Sequence, residues 1–260
     1  MAQLKKLELE KFIFETPITY DMETDELEGT IEPTTKTKWA VPPDPNINVQ
    51  ELRKWVRQKV DEKVFSKLLG SGATRIALNN DNKTVFKFNF VTSLALGNQI
   101  LEEVKIYNKF KKRFSNILPK FYRFGTNWIV QEKSEPFNNQ KFSEMIDLSG
   151  LENISTNANN FVTIFFKNLD YILLNLDINY IERLRKLTFE EAKKTIENDG
   201  LTKYFKSYKP WVHYFLQNET LMEIIRFCKY SGTILEDMKS ENLGFIGNRL
   251  VIIDFGMIEK

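Results

Sequence analysis

Two short apolar runs near the carboxyl end of the 260-residue chain, Leu243-Gly244-Phe245-Ile246 and Arg249-Leu250-Val251-Ile252-Ile253, are separated by Gly247-Asn248 alone. Strand-like runs joined at such a pair specify a tight antiparallel hairpin, because the turn needs residues that tolerate positive φ. Closing the hairpin brings Asn242 within one residue of Asp254. A three-residue loop would set the two directly opposite each other on one face. Asp237 lies just upstream, so three oxygen-bearing side chains converge at the mouth of the ribbon. Carboxylate and amide oxygens suit a hard cation such as Mg²⁺, which keeps waters and takes further ligands from phosphates. The same three residues also serve as polar caps of a hairpin and its entry loop.

A second patterned region lies upstream. Val64–Leu69 leads into Gly70-Ser71-Gly72, Arg75–Leu78 follows, and Asn79-Asn80-Asp81-Asn82 is a turn signal. Thr84–Phe90 then alternates, with Phe86, Phe88 and Phe90 on one face and Val85, Lys87 and Asn89 on the other. A helix is expected from about Asn98 to Phe114, then a strand pair within Phe121–Glu132. On that helix Glu103 shares a stripe with Ile100, Tyr107, Phe110 and Phe114, whereas Glu102 lines up with Gln99, Lys105 and Lys109. A carboxylate on an inward face needs a partner, and Lys87 is the nearest candidate in the pattern.

Around these segments the chain is less specific. Residues 1–62 contain an acidic, Thr-rich stretch (Met22–Thr37), the stiff connector Pro42-Pro43-Asp44-Pro45, and a short helix over Val49–Val60 with Leu52, Val56 and Val60 on one face. They read as an extension or clasp. Asn139–Tyr230 reads mostly helical, its last helix opened by a capping box at Thr220-Leu221-Met222-Glu223 and stopped at Gly232. The one cysteine, Cys228, leaves no internal disulfide framework, and the one histidine, His213, leaves no His-rich zinc site. The formal charge of +2 supplies no bulk reason to bind nucleic acid or membrane, and the basic patch Lys109, Lys111, Lys112, Arg113 reads as a solvated helix face. Phe161–Leu176, the most apolar stretch, is interrupted by Lys167 and Asp170 and is too short to span a bilayer. A cytoplasmic protein is expected.

Asp237-Met238-Lys239-Ser240-Glu241-Asn242 resembles the D-L-K-P-E-N catalytic loop of eukaryotic-type protein kinases, and Asp254-Phe255-Gly256 resembles their metal-binding D-F-G. The resemblance implies ATP and Mg²⁺ as cofactors. It implies Asp237 as base or orienter of the attacking hydroxyl, Lys239 on the transferring phosphoryl group, and Asn242 and Asp254 on the metal. It further implies Gly70, Ser71 and Gly72 in a phosphate-cradling turn, and Lys87 paired with Glu103 on the phosphates. Glu132 and Lys133 then fall at the hinge whose backbone meets adenine. The fold class implied is α+β: a two-lobed kinase-like fold with an antiparallel β-rich first lobe (63–136) carrying one helix. The second lobe (137–260) is mainly helical and bears the hairpin.

The resemblance has limits. Leu235-Glu236 stands where the family has histidine and arginine before the aspartate, and Arg75 stands where its third loop glycine would be. The chain runs four residues past Gly256, so helices from about Lys141 to Tyr230 are expected to build the second lobe from upstream. That arrangement looks more like divergent bacterial or phage-encoded kinase-like proteins, acting in a host cytoplasm in the latter case. The acceptor expected is a Ser or Thr hydroxyl of a protein, the chain itself included. A small-molecule kinase of the aminoglycoside type, a nucleotide-binding pseudokinase and a nucleotidyl transferase stay open beside it.

Overall fold

The computed structural model describes residues 40–65, 67–71, 74–90, 98–146, 162–163, 165–167, 177–201 and 208–255. The described chain divides into two compact units, one holding residues up to Lys111 together with Pro119–Lys133, the other Lys112–Leu118 and the residues from Ser134 onward.

The first unit is built on a five-stranded antiparallel sheet. Its strands are β1 (Leu68–Ser71), β2 (Arg75–Asn79), β3 (Thr84–Asn89), β4 (Phe121–Phe124) and β5 (Trp128–Glu132), in the spatial order β1-β2-β3-β5-β4. The turn between β2 and β3 forms around Asp81, whose carboxylate accepts from the amides of Lys83 and Thr84 at 2.7 and 2.6 Å. Every residue of β3 is buried, so both faces of this central strand are covered.

Helix α1 (Val49–Asp61) covers one face. Its Asn48 cap accepts from the Glu51 amide, and Leu52, Val56 and Val60 join Ile76, Leu78, Phe86, Phe88, Phe90, Trp128 and Val130 in one apolar cluster. The cluster includes an aromatic stack in which the rings of Phe65 and Phe86 lie 5.1 Å apart. The Pro-rich connector is fastened alongside: Pro45 accepts from the Thr126 amide at 2.8 Å and Ile47 from the Asn127 side chain at 3.0 Å. The stretch read as an extension thus supplies part of the sheet's own core from Ala40 onward.

Helix α2 (Gln99–Phe110) covers the other face, packing on β3 and β5. It stops at Phe110, short of the expected Phe114, and Phe114 sits in the turns that follow and belongs to the second unit. Tyr107 on α2 stacks on Phe121 at 4.0 Å, and its hydroxyl accepts from the Phe121 amide.

In the second unit the described helices are α3 (Asn139–Met145), α4 (Ile178–Leu184), α5 (Phe189–Asn198), α6 (Pro210–Leu216) and α7 (Glu219–Ser231). A three-stranded sheet, in the order β6-β7-β8, comprises β6 (Glu135–Pro136), β7 (Leu243–Ile246) and β8 (Arg249–Ile252). These elements match the expected α+β class, a sheet-rich first unit and a mainly helical second one. The cap of α7 is Asn218, which accepts from the Leu221 amide, and not the expected Thr220 box. Asn218 precedes Thr220 by two residues and starts the helix first. A reciprocal capping box does occur at Thr188 and Glu191 on α5. Gly232 ends α7 at φ +75° as expected. Among the described residues, no helix is long and apolar enough to cross a membrane.

His213 on α6 is buried, its Nδ1 2.7 Å from the Tyr208 hydroxyl, and burial holds its pKa below the usual histidine value. It works as a core residue. Lys112 and Arg113 of the basic patch are exposed, and the Arg113 guanidinium lies 3.9 Å from the centre of the Tyr230 ring.

Candidate functional site

The chemistry-bearing residues form two groups, one in each unit. In the first, the pleat of β3 aims Lys87 away from the phenylalanine face and onto the face that α2 covers. Its Nζ donates to both carboxylate oxygens of Glu103, at 2.7 and 2.8 Å. Glu103 is 0% exposed and Lys87 6%. Glu102 instead lies partly exposed and meets Lys105 at 3.2 Å. The helical stripe therefore separates the two glutamates as expected: Glu103 is inward and paired with Lys87.

A third charge, not anticipated from the sequence, joins this pair. Arg75, the first residue of β2, reaches Glu103 Oε1 with Nη1 at 3.3 Å. Its neighbour Thr74 donates to Gln99 Oε1 at 2.8 Å. The signal that could have found it is the register: β2 and β3 pair Arg75 with Asn89 and Ala77 with Lys87, so Arg75 and Lys87 are diagonal neighbours on one face.

Further polar contacts hold the start of α2. Asn98 caps the helix by accepting from the Leu101 amide at 3.0 Å. It also accepts from the Asn89 side chain at 2.8 Å and donates to the Thr126 carbonyl at 3.0 Å.

Of the glycine turn, Gly70 and Ser71 lie at the end of β1 and are exposed, while Gly72 lies outside the described residues. The pairing of β1 with β2 is irregular between Leu68 and Gly70. A Cβ added at Gly70 would meet nothing within 4 Å, so local packing does not require the glycine. What its missing side chain leaves is open space beside the backbone.

Glu132 and Lys133, the positions the resemblance assigns to adenine, are tied into the sheet. The Glu132 amide donates to the Lys120 carbonyl at 2.7 Å and the Lys133 amide to that of Lys83 at 2.8 Å. Both N–H groups are thus committed within the sheet, and Lys133 Nζ donates to Asn79 Oδ1.

In the second unit, α7 ends at Gly232 and the chain passes through two 3₁₀ turns, Leu235–Asp237 and Ser240–Asn242, directly into β7. Leu235 and Met238 are buried, which leaves Asp237 partly exposed and Lys239 exposed. The Lys239 ammonium lies 3.9 Å from Asp237 Oδ1.

The hairpin closes with a two-residue loop, Ile246 opposite Arg249, and Gly247 takes φ +60° at the first loop position. The three-residue alternative is thereby corrected. Asn242 faces Ile253, whose amide donates to its carbonyl at 2.8 Å, and Asp254 follows one residue later. Asn242 Nδ2 donates to the Asp237 carbonyl at 2.8 Å. That bond commits the amide's nitrogen edge and leaves its oxygen as the edge a cation would meet. Phe255 is fully buried against Phe227, with ring centres 5.5 Å apart, and this anchors the chain beyond Asp254. Gly256 lies outside the described residues.

Among the described residues no group of three or more His, Cys, Asp and Glu side chains is placed to hold a metal. One carboxylate and one amide oxygen fit a cation that takes its remaining ligands from water and phosphate, as Mg²⁺ does.

No family model matches the chain, and no curated protein sequence does. Solved structures similar to it include two aminoglycoside phosphotransferases. One is the ADP-bound aminoglycoside phosphotransferase APH(2'')-Ib, 14% identical over 78% of this chain and 69% of that one, with a TM-score of 0.33. The other is APH(2'')-IIa in a ternary complex with streptomycin and ATP, 13% identical over 77% and 69%, with a TM-score of 0.30.

Proposed function

We propose that the chain is an ATP:Mg²⁺-dependent phosphotransferase whose acceptor is a serine or threonine hydroxyl of a protein. The observation that carries this reading is the buried Lys87–Glu103 pair. Burying two opposite charges is a weak way to stabilise a fold, because desolvation offsets most of their attraction. A lysine fixed by a carboxylate in a sheltered position is, however, a ready ligand for phosphate oxygens.

The rest of the assignment follows the chemistry of the side chains. Open space at Gly70 lets a phosphate approach the backbone. Asn242 and the Asp254 carboxylate would hold Mg²⁺, which would supply positive charge against the phosphates. Asp237 orients the acceptor hydroxyl and takes its proton as the oxygen–phosphorus bond forms and ADP leaves. Lys239, two residues on, offsets the charge of the group in transit. The lysine in Asp-x-Lys is the Ser/Thr-type choice within the resemblance.

The test is incubation with γ-labelled ATP and Mg²⁺, wild type beside Asp254→Ala and Asp237→Asn, with and without a host lysate. Label on protein in wild type that is lost in both variants is the expected result. Label that survives both substitutions would sink the residue assignment. Transfer to small hydroxyl compounds but not to protein would move the acceptor to the small-molecule class.

A further inference from the structure

We propose that Arg75 is a positioning residue for the Lys87–Glu103 pair, fastening the strand that leaves the glycine turn to helix α2 through the Glu103 carboxylate. The inference rests on the reading of that pair as the grip on ATP phosphates.

Three observations carry it. Glu103 Oε1 accepts from Lys87 Nζ at 2.7 Å and from Arg75 Nη1 at 3.3 Å, while Oε2 accepts from Lys87 at 2.8 Å. One carboxylate is therefore held from two adjacent strands. Next to it, Thr74 Oγ1 bonds Gln99 Oε1 at 2.8 Å. Gln99 and Glu103 are four residues apart and lie one above the other on α2, so Thr74 and the first residue of β2, consecutive in the chain, grip consecutive turns of the helix. Finally, these groups are sheltered: Thr74 and Gln99 are each 5% exposed, and the Arg75 side chain is 11% exposed.

Residue type completes the case. The resemblance expects glycine at position 75, and a glycine could not make this link. Arginine's planar, permanently charged fork loses little freedom when it binds a carboxylate, and in a sheltered setting the bond is stronger than in water. Its effect runs through Glu103: the carboxylate is fixed before nucleotide arrives, so Lys87 is already placed to meet the phosphates. Removing the guanidinium leaves Lys87 paired with Glu103 and Thr74 bonded to Gln99, but takes away the link from β2 to the Glu103 carboxylate. That loss falls on nucleotide affinity more than on the chemical step.

The experiment uses the full chain with Arg75→Met, Arg75→Lys, Glu103→Gln and the Arg75→Met/Glu103→Gln double variant. Binding of ATP with Mg²⁺ is measured by calorimetry, and amide hydrogen exchange over Gln99–Glu103 is measured without nucleotide. Arg75→Met should weaken ATP binding roughly 5- to 20-fold, as expected for one charge-assisted hydrogen bond, and should speed exchange in the first turns of α2. Arg75→Lys should recover most of the affinity. In the Glu103→Gln background Arg75→Met should add less than about 2-fold, because the two residues act as one unit.

Full loss in that background would mean that Arg75 acts on the nucleotide directly, and would overturn a positioning role. Unchanged binding and exchange in Arg75→Met would overturn it as well. Lys87→Met serves as the control for the underlying reading. If Lys87→Met binds ATP as wild type does, the phosphate assignment fails and takes this inference with it. If Lys87→Met loses binding while Arg75→Met does not, the failure is that of Arg75 alone.

Discussion

The two faces of the first unit's sheet differ in what β2 and β3 place on them: apolar side chains on one, charged and amide groups on the other. On one face Ile76, Leu78, Phe86 and Phe88 share an apolar cluster with Leu52, Val56 and Val60 of helix α1. On the other, Arg75, Lys87 and Asn89 meet helix α2 through ion pairs and amide hydrogen bonds. Apolar packing rewards area and tolerates small shifts, whereas a hydrogen bond weakens steeply when its geometry changes. The face with α1 is therefore held by apolar packing, and the face with α2 adds to its own apolar contacts, such as Tyr107 on Phe121, bonds that hold particular atoms in place. A sheet that needed stability alone would have no reason to bury a glutamate at 0% exposure.

The sharpest way to break this comparison is to injure each face in turn and read stability. Phe86 lies among Phe65, Phe88, Trp55 and Trp128, with ring centres 5.1 to 6.0 Å away. Phe86→Ala should lower unfolding free energy by about 3–5 kcal/mol, measured by urea denaturation. A loss below about 1 kcal/mol would show that this aromatic cluster is not the core it resembles.

On the opposite face, Lys87→Met alone should cost about 3 kcal/mol, because Glu103 then stays buried with a weaker set of partners. Replacing the whole cluster, as Arg75→Met/Lys87→Met/Glu103→Leu, should return stability to within about 2 kcal/mol of wild type, since no buried charge is stranded. The same triple variant should bind no ATP by calorimetry. If it unfolds as readily as Phe86→Ala, the polar face is a stabilising element and the contrast fails.

Much of this division was legible in the chain. The alternation of Thr84–Phe90 separates the phenylalanines from Lys87, and the stripe on the following helix selects Glu103 over Glu102, because side-chain direction follows from strand and helix periods alone. The hairpin was legible for the same local reason. Its register was not settled, because Gly247-Asn248 accommodates a two- or three-residue loop until both strands pair. Long-range choices were out of reach. Nothing local indicates that Val49–Asp61 covers the phenylalanine face, and β6 at Glu135–Pro136 is too short to carry a pattern. Nor does position 75 by itself predict an arginine bonded to a glutamate 28 residues later. The partners of the Glu132 and Lys133 amides were out of reach for a related reason: their acceptors, Lys120 and Lys83, become neighbours through strand pairing alone.

The smallest effect separates the faces at their helix caps. Asn48 and Asn98 both cap a helix by accepting an amide hydrogen bond, at 2.9 Å from Glu51 and at 3.0 Å from Leu101. Among the contacts described here, the Asn48 side chain has that bond and is exposed. Asn98 adds side-chain bonds to Asn89, Asn127 and the Thr126 carbonyl, and so belongs to the polar face itself. Asn48→Ala should therefore cost about 0.5–1 kcal/mol, the usual loss of an exposed cap. Asn98→Ala should cost about 2 kcal/mol, because Asn89 and the Thr126 carbonyl lose partners in a sheltered setting. ATP affinity should fall with Asn98→Ala and not with Asn48→Ala, since only the former loosens the helix that presents Glu103. Equal stability losses with equal affinities would mean that the amide network merely caps α2, and that placement of Glu103 depends on Lys87 and Arg75 alone.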